Sequence, residues 1–133
     1  MKKLGIVVSS FNKEITSQML IDAKKEASKK KAKVTTVIHV PGAYEIPFAV
    51  QKLLKRKGID AVATIGTVIK GQTKHDEAIM NAICPMLLSL SLQYNKPVGL
   101  GISGPGITES QAKARAKDYA CRSVNAALHN LKI

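Results

Sequence analysis

Ala61-Val62-Ala63-Thr64-Ile65-Gly66-Thr67-Val68-Ile69-Lys70-Gly71-Gln72-Thr73-Lys74-His75-Asp76-Glu77 is the stretch that decides the fold. Residues 61–65, or a little more, form an apolar run that predicts a buried strand. The glycine-bounded segment that follows predicts a turn, and Thr73 with Asp76 three residues on predicts an approximate capping box that opens a helix. That order sets unsatisfied backbone N–H groups, a helix start and the imidazole of His75 at one point, where an anion is favoured. An imidazole also moves protons near neutral pH, since its ordinary pKa lies near 6.5. The segment therefore reads as a reaction site for a phosphorylated small molecule.

A nucleotide-triphosphate loop is a poor account of the same residues. Gly66 and Gly71 have the right separation, but Gln72 stands where the phosphate-binding lysine belongs. The β-branched Thr67, Val68 and Ile69 suit an extended strand end better than a wrapping loop.

Working outward, three more strand–helix units can be read. Leu4 to Val8 is a continuous apolar strand, followed by a helix over 13–30 with Ile15, Met19, Ala23 and Ala27 on its inner face. Val34 to Val40 stops at Pro41-Gly42, and a helix opening near Tyr44 to Pro47 runs until Gly58 ends it. The His75 helix reaches about Tyr94, with a kink or local break expected at Pro85. A fourth strand, Pro97 to Ser103, ends in Gly104-Pro105-Gly106, and Thr108 with Gln111 caps a last helix reaching Leu128 or beyond. Alternation without hairpin signals predicts an α/β three-layer sandwich: a four-stranded parallel sheet flanked by helices, flavodoxin-like, in a single domain over 1–133. Right-handed crossovers place Phe11, Ala43 to Glu45, Thr67 to Thr73 and Ser103 to Gly106 on one rim, the edge where open α/β sheets bind ligands.

Composition narrows the function classes. The chain has 133 residues, 45% of them apolar, with no run long enough to span a membrane. The apolar stretch after Met1-Lys2-Lys3 is too short for a secretory signal, so a cytoplasmic location is expected. Cys84 and Cys121 form no C-x-x-C pair and read as free thiols, and no His/Cys cluster has metal-ligand spacing. The formal net charge is +12, much of it in Lys24 to Lys33. A solvated helix face accounts for that run. Nucleic-acid binding is the sharper alternative, but five aromatics with none interleaved leave no platform for stacking bases.

Three blocks carry a resemblance that spans almost the whole chain. Val40-Pro41-Gly42-Ala43-Tyr44-Glu45-Ile46-Pro47, Gly66-Thr67-Val68-Ile69-Lys70-Gly71 with Thr73 and His75, and Pro97 to Ile102 with Gln111-Ala112 and Arg115-Ala116 resemble the 6,7-dimethyl-8-ribityllumazine synthases. The resemblance implies condensation of 5-amino-6-(D-ribitylamino)uracil with 3,4-dihydroxy-2-butanone 4-phosphate, releasing phosphate and water, with no metal or organic cofactor. It implies homopentamers, sometimes assembled into shells, with each site shared between neighbours.

Carried over residue by residue, Phe11 matches the aromatic that stacks on the pyrimidine, and Ala43, Tyr44 and Glu45 match the segment holding the ribityl chain. Glu45 equally suits a carboxylate at a helix start. Thr67, Val68 and Ile69 match backbone groups that read the pyrimidine edge. Gln72 and Thr73 match the phosphate turn, and Arg115 the arginine that pairs with it; Arg122 is a weaker second candidate. His75 matches the proton-transfer residue. Leu100 stands where many relatives place an aromatic that reaches a neighbour's pyrimidine. The start close to the first strand, and the lack of a glycine-rich kink over 116–122, bear on the assembly: a pentamer is expected, while a closed shell stays open. A related reading is the archaeal type of riboflavin synthase, which the Gly66 to His75 block and Arg115 argue against. A flavodoxin-like binding module without enzymatic activity is the reading from another class.

Overall fold

The computed structural model describes residues Met1–Ile133. Strand β1 (Lys3–Ser9) is buried from Leu4 onward and pairs in parallel with β2 (Lys33–Val40) on one side and β3 (Ala61–Ile69) on the other. Its unbroken apolar run follows from having helices on both faces. Beyond β3 lie β4 (Val98–Gly99) and β5 (Ile102–Ile107), giving the order β2-β1-β3-β4 with β5 also on β3.

Helices α1 (Lys13–Lys29) and α4 (Glu109–Asn130) cover one face. The stripe of Ile15, Met19, Ala23 and Ala27 meets Ala112, Ala116, Ala120 and Ala127 of α4, whose small side chains let the two helices approach closely. A single 3₁₀ turn (Ala43–Glu45), α2 (Ile46–Leu54) and α3 (His75–Tyr94) cover the other, around Ile46, Leu53, Met80, Ile83 and Leu87. Met19 and Leu53 are fully buried, each such side chain contributing about 1.5–3 kcal/mol.

Five local expectations change. β3 does not end near Ile65 but runs to Ile69, so Gly66 lies inside the strand and no turn opens there. Its continuation is paired: Gly66 lies opposite Ile102 and Ile69 opposite Ile107. Helix α2 stops at Leu54, four residues before Gly58. The single fourth strand is two pieces, and Gly104-Pro105-Gly106 belongs to the second rather than ending the first. Helix α3 is continuous through Pro85; the Asn81 carbonyl that loses its partner belongs to an exposed residue, where the loss costs less than it would in the core. Thr73 does not cap α3; Lys74 is its N-cap and no side chain bonds there. The box formed by Thr108 and Gln111 on α4 is present in both directions.

Side chains bridge the break between β4 and β5. Thr64 Oγ1 donates to the Gly99 carbonyl at 2.7 Å and accepts from the Gly101 N–H at 3.2 Å. Ser123 Oγ of α4 donates to the Thr64 carbonyl at 2.8 Å and accepts from the Thr64 N–H at 3.1 Å. Two hydroxyls thus replace the missing ladder, and α4 sits so close that a Cβ on Gly99 would run into the Ser123 carbonyl.

Candidate active site

The carboxyl ends of β1, β2 and β3 open on a cavity of about 460 Å³. Two backbone bonds hold its first wall: Ser10 N–H donates to Val40 O at 2.7 Å, and Phe11 N–H to Pro41 O at 3.0 Å. They set the Phe11 ring beside Ala43, Tyr44 and Glu45 of the 3₁₀ turn. Phe11 and Tyr44 remain about two-thirds exposed, at 67% and 68%. Asn12, in a left-handed conformation, donates from Nδ2 to Thr67 O at 3.4 Å and joins this wall to β3.

The β3 end forms the floor. Thr67 is buried and its Oγ1 accepts from Ser103 Oγ at 2.7 Å, while Lys70 N–H donates to Ile107 O at 2.7 Å. Gly104 passes over Val68 with φ +120°, and a Cβ there would lie 2.6 Å from the Val68 carbonyl. Glycine is required at that crossing.

The third wall is the first turn of α3, with His75 exposed toward the cavity mouth and Ile79 below it. Between them the buried Asp76 accepts from Gly106 N–H at 2.8 Å. That bond, helped by the N–H groups of Glu77 and Asp76 itself and by the charge of Lys70, holds its carboxyl below the usual carboxylate value of 3.8 against the opposing effect of burial. Burial pushes both thiols up, at Cys121 with Glu26 and Asp22 adding to it, so neither cysteine is an activated nucleophile. No three His, Cys, Asp or Glu side chains are arranged to hold a metal ion.

Of the residues singled out in the sequence, Phe11, Ala43, Tyr44, Glu45, Thr67, Val68, Ile69, Thr73 and His75 line this one cavity. Gln72, Leu100 and Arg115 do not. Gln72 is exposed beside it, and Arg115 is exposed on α4, across the sheet. Leu100 lines a different groove, between α3 and α4, with Leu88 and Arg122. Gly42, Gly71, Asp76 and Ile79 line the cavity without having been singled out as site residues. Asp76 had been read as a cap partner; nothing local in the sequence points to Gly106, thirty residues away.

The sequence model of the 6,7-dimethyl-8-ribityllumazine synthase family matches residues 1–133. The chain belongs to the 6,7-dimethyl-8-ribityllumazine synthase family. Membership makes it a transferase of riboflavin biosynthesis that forms 6,7-dimethyl-8-ribityllumazine. Among the lumazine synthases it resembles, that of Metallosphaera sedula is 52% identical over 126 residues, covering 95% of this chain and 83% of the relative. That of Staphylothermus marinus is 52% identical with 95% and 84% covered, and that of Methanoculleus marisnigri 50% identical with 95% and 93% covered. The expected family is thus the observed one, and the parallel sheet flanked by helices is the fold expected of it.

Proposed function

We propose that the cavity is the larger part of the site at which this lumazine synthase joins 5-amino-6-(D-ribitylamino)uracil to 3,4-dihydroxy-2-butanone 4-phosphate. The observation that carries the assignment is the meeting of His75 with Phe11, the Ala43–Glu45 turn and the Thr67–Ile69 strand end around about 460 Å³, a volume suited to small molecules. Phe11 offers a flat apolar face to the pyrimidine. Glu45 and the backbone of Ala43 and Tyr44 take the ribityl hydroxyls, and the backbone of Thr67, Val68 and Ile69 takes the ring edge. The butanone phosphate lies toward Gln72, Thr73 and the start of α3, where helix-end N–H groups favour an anion. Asp76 already engages amides of that turn, so further positive charge is needed, and Arg115 supplies it as a bidentate partner.

The pyrimidine amine adds to the ketone carbonyl, water leaves to give an imine, phosphate is eliminated, and tautomerisation and ring closure with loss of a second water follow. His75 takes the proton from the adding amine and returns protons to the departing oxygens. No covalent enzyme intermediate is required. General acid–base catalysis of this kind contributes about 10²–10⁴-fold; holding two substrates in register supplies much of the remainder.

Leu100 and Arg115 complete the site from a neighbouring copy. Support comes from two unlike exposed apolar edges: Phe11, Tyr44 and Phe48 on one, Leu88 and Leu100 on the other. Unlike patches that meet head to tail generate a ring when the rotation closes, here a homopentamer as in the family. Residues 1–133 act as one domain, in the cytoplasm, where the free Cys84 and Cys121 stay reduced. Mixing both substrates with the protein and following lumazine absorbance alongside inorganic phosphate tests the assignment. Folded protein that yields neither would overturn it.

A further inference from the structure

The charge of this molecule is separated along the strand axis. Parallel strands put the starts of β1 to β4 and every helix exit at the edge opposite the cavity. Lys2 and Lys3 open β1 there; Lys29, Lys30, Lys31 and Lys33 join α1 to β2. Lys52, Lys55, Arg56 and Lys57 leave α2, Lys96 leaves α3, and Lys132 follows α4. Counting connectors and last helical turns, this edge holds twelve of the 21 basic residues and only Glu26 and Asp60 of the nine acids. Connectors and first helical turns at the cavity edge hold three bases (Lys13, Lys70, Lys74) against five acids (Glu14, Glu45, Asp76, Glu77, Glu109).

Helix-dipole compensation explains only part of this: Lys29 and Lys30 close α1, and Lys52 and Lys55 close α2. A cation at a helix C-terminus is favourable, and Lys96 fills that role, donating from Nζ to the Leu54 carbonyl at 3.0 Å and the Arg56 carbonyl at 2.8 Å. The side chains of the other eleven are exposed and make no hydrogen bond to a carbonyl or carboxylate. The two acids are taken: Asp60 Oδ2 accepts from Lys3 N–H at 2.7 Å, and Glu26 Oε2 from Asn125 Nδ2 at 2.6 Å. Both ion pairs of the chain lie on α4, away from this edge. At its centre a hollow of about 320 Å³ is lined by Lys2, Lys30, Lys132, His129 and Asn125 over Ala32 and two leucines.

We infer that this edge docks the phosphate backbone of double-stranded nucleic acid without reading its sequence. Three layers give a face about 30 Å across, close to one duplex turn of roughly 34 Å. Exposed, unpaired lysines release condensed counterions on meeting phosphates, and that term alone supplies non-specific binding. The exposed aromatics Phe11 and Tyr44 lie at the opposite end of the molecule, and Phe48 is covered by the Lys52 ammonium 5.1 Å from its ring centre, so single strands find no run of free aromatic faces here. Helices end on this face instead of lying along it, which withholds the flat amphipathic surface a membrane needs.

The test uses the whole protein in its native assembly and a labelled 24-base-pair duplex of arbitrary sequence, followed by fluorescence anisotropy. With about six phosphates engaged, affinity falls on the order of 10³-fold between 50 and 200 mM salt. The Lys30→Ala/Lys31→Ala/Lys132→Ala variant lowers the log–log salt slope by about three, whereas Lys113→Ala/Lys117→Ala leaves it in place. Both variants retain lumazine formation, which reports intact folding and keeps the result separate from the fate of the active-site assignment. A salt slope shallower than about −2, an equal loss in the control variant, equally tight binding to polyglutamate, or tighter binding to phosphatidylserine vesicles would each overturn the inference.

Discussion

Asp76 and Gly106 are joined by a 2.8 Å bond from the Gly106 N–H to the Asp76 carboxylate, which ties the first turn of α3 to β5 next to His75. The helix turn that carries the His75 imidazole, to which we assign proton transfer, is therefore held by a strand thirty residues further along the chain. Asp76→Asn keeps the shape of the side chain but loses the charge, and kcat/KM should fall on the order of 10²-fold, as small misplacements of a reacting group do. Binding of a pyrimidine analogue should change much less. Equal losses in both quantities would make Asp76 a structural residue only.

The same bond sets an acid limit. The folded carboxyl titrates below its ordinary value of 3.8, so its contribution is complete above the unfolded pKa and disappears as pH falls through the folded one. Thermal stability measured from pH 6 to pH 2 should drop more steeply below about pH 4 in the natural chain than in Asp76→Asn. Parallel curves would show that the carboxylate is not linked to folding.

Removing the imidazole with His75→Ala should slow turnover by about 10²–10⁴-fold while the pyrimidine still binds. Because the side chain is exposed, the melting temperature should hardly move. Unchanged turnover removes His75 from the mechanism.

A shared site can be tested by mixing. His75→Ala and Arg115→Ala subunits are each inactive alone, but a random mixed ring pairs an intact His75 with an intact neighbouring Arg115 at about a quarter of its interfaces. Co-expressed subunits should recover about that fraction of activity. No recovery from mixed assemblies confirmed by mass would place both residues in one subunit's site.

At the strand break, Ser123→Ala strips Thr64 of both backbone partners, at a cost of about 1–3 kcal/mol for each buried group left unsatisfied. Denaturant unfolding should register a loss of that size, with no new nucleophile or base involved. A loss under about 0.5 kcal/mol would mean that the hydroxyl does not hold the break together.

The alternation of apolar runs, the stripe of Ile15, Met19, Ala23 and Ala27, and the Thr108–Gln111 cap were all readable along the chain, because each depends on residues within a turn or two of one another. From these alone followed the parallel sheet and the rim on which Phe11, Tyr44, Glu45 and His75 meet. Tertiary structure decided the rest. It carried β3 through Gly66 to Ile69 by pairing it with β5, split the fourth strand around side chains of Thr64 and Ser123, and took Asp76 from its expected cap to Gly106. It also left Leu100 and Arg115 outside the cavity. The strand pairing, the hydroxyl bridges and the Asp76 bond each depend on a partner some 30 to 60 residues distant, and local propensity cannot rank hydrogen-bond partners that only the folded chain brings within reach.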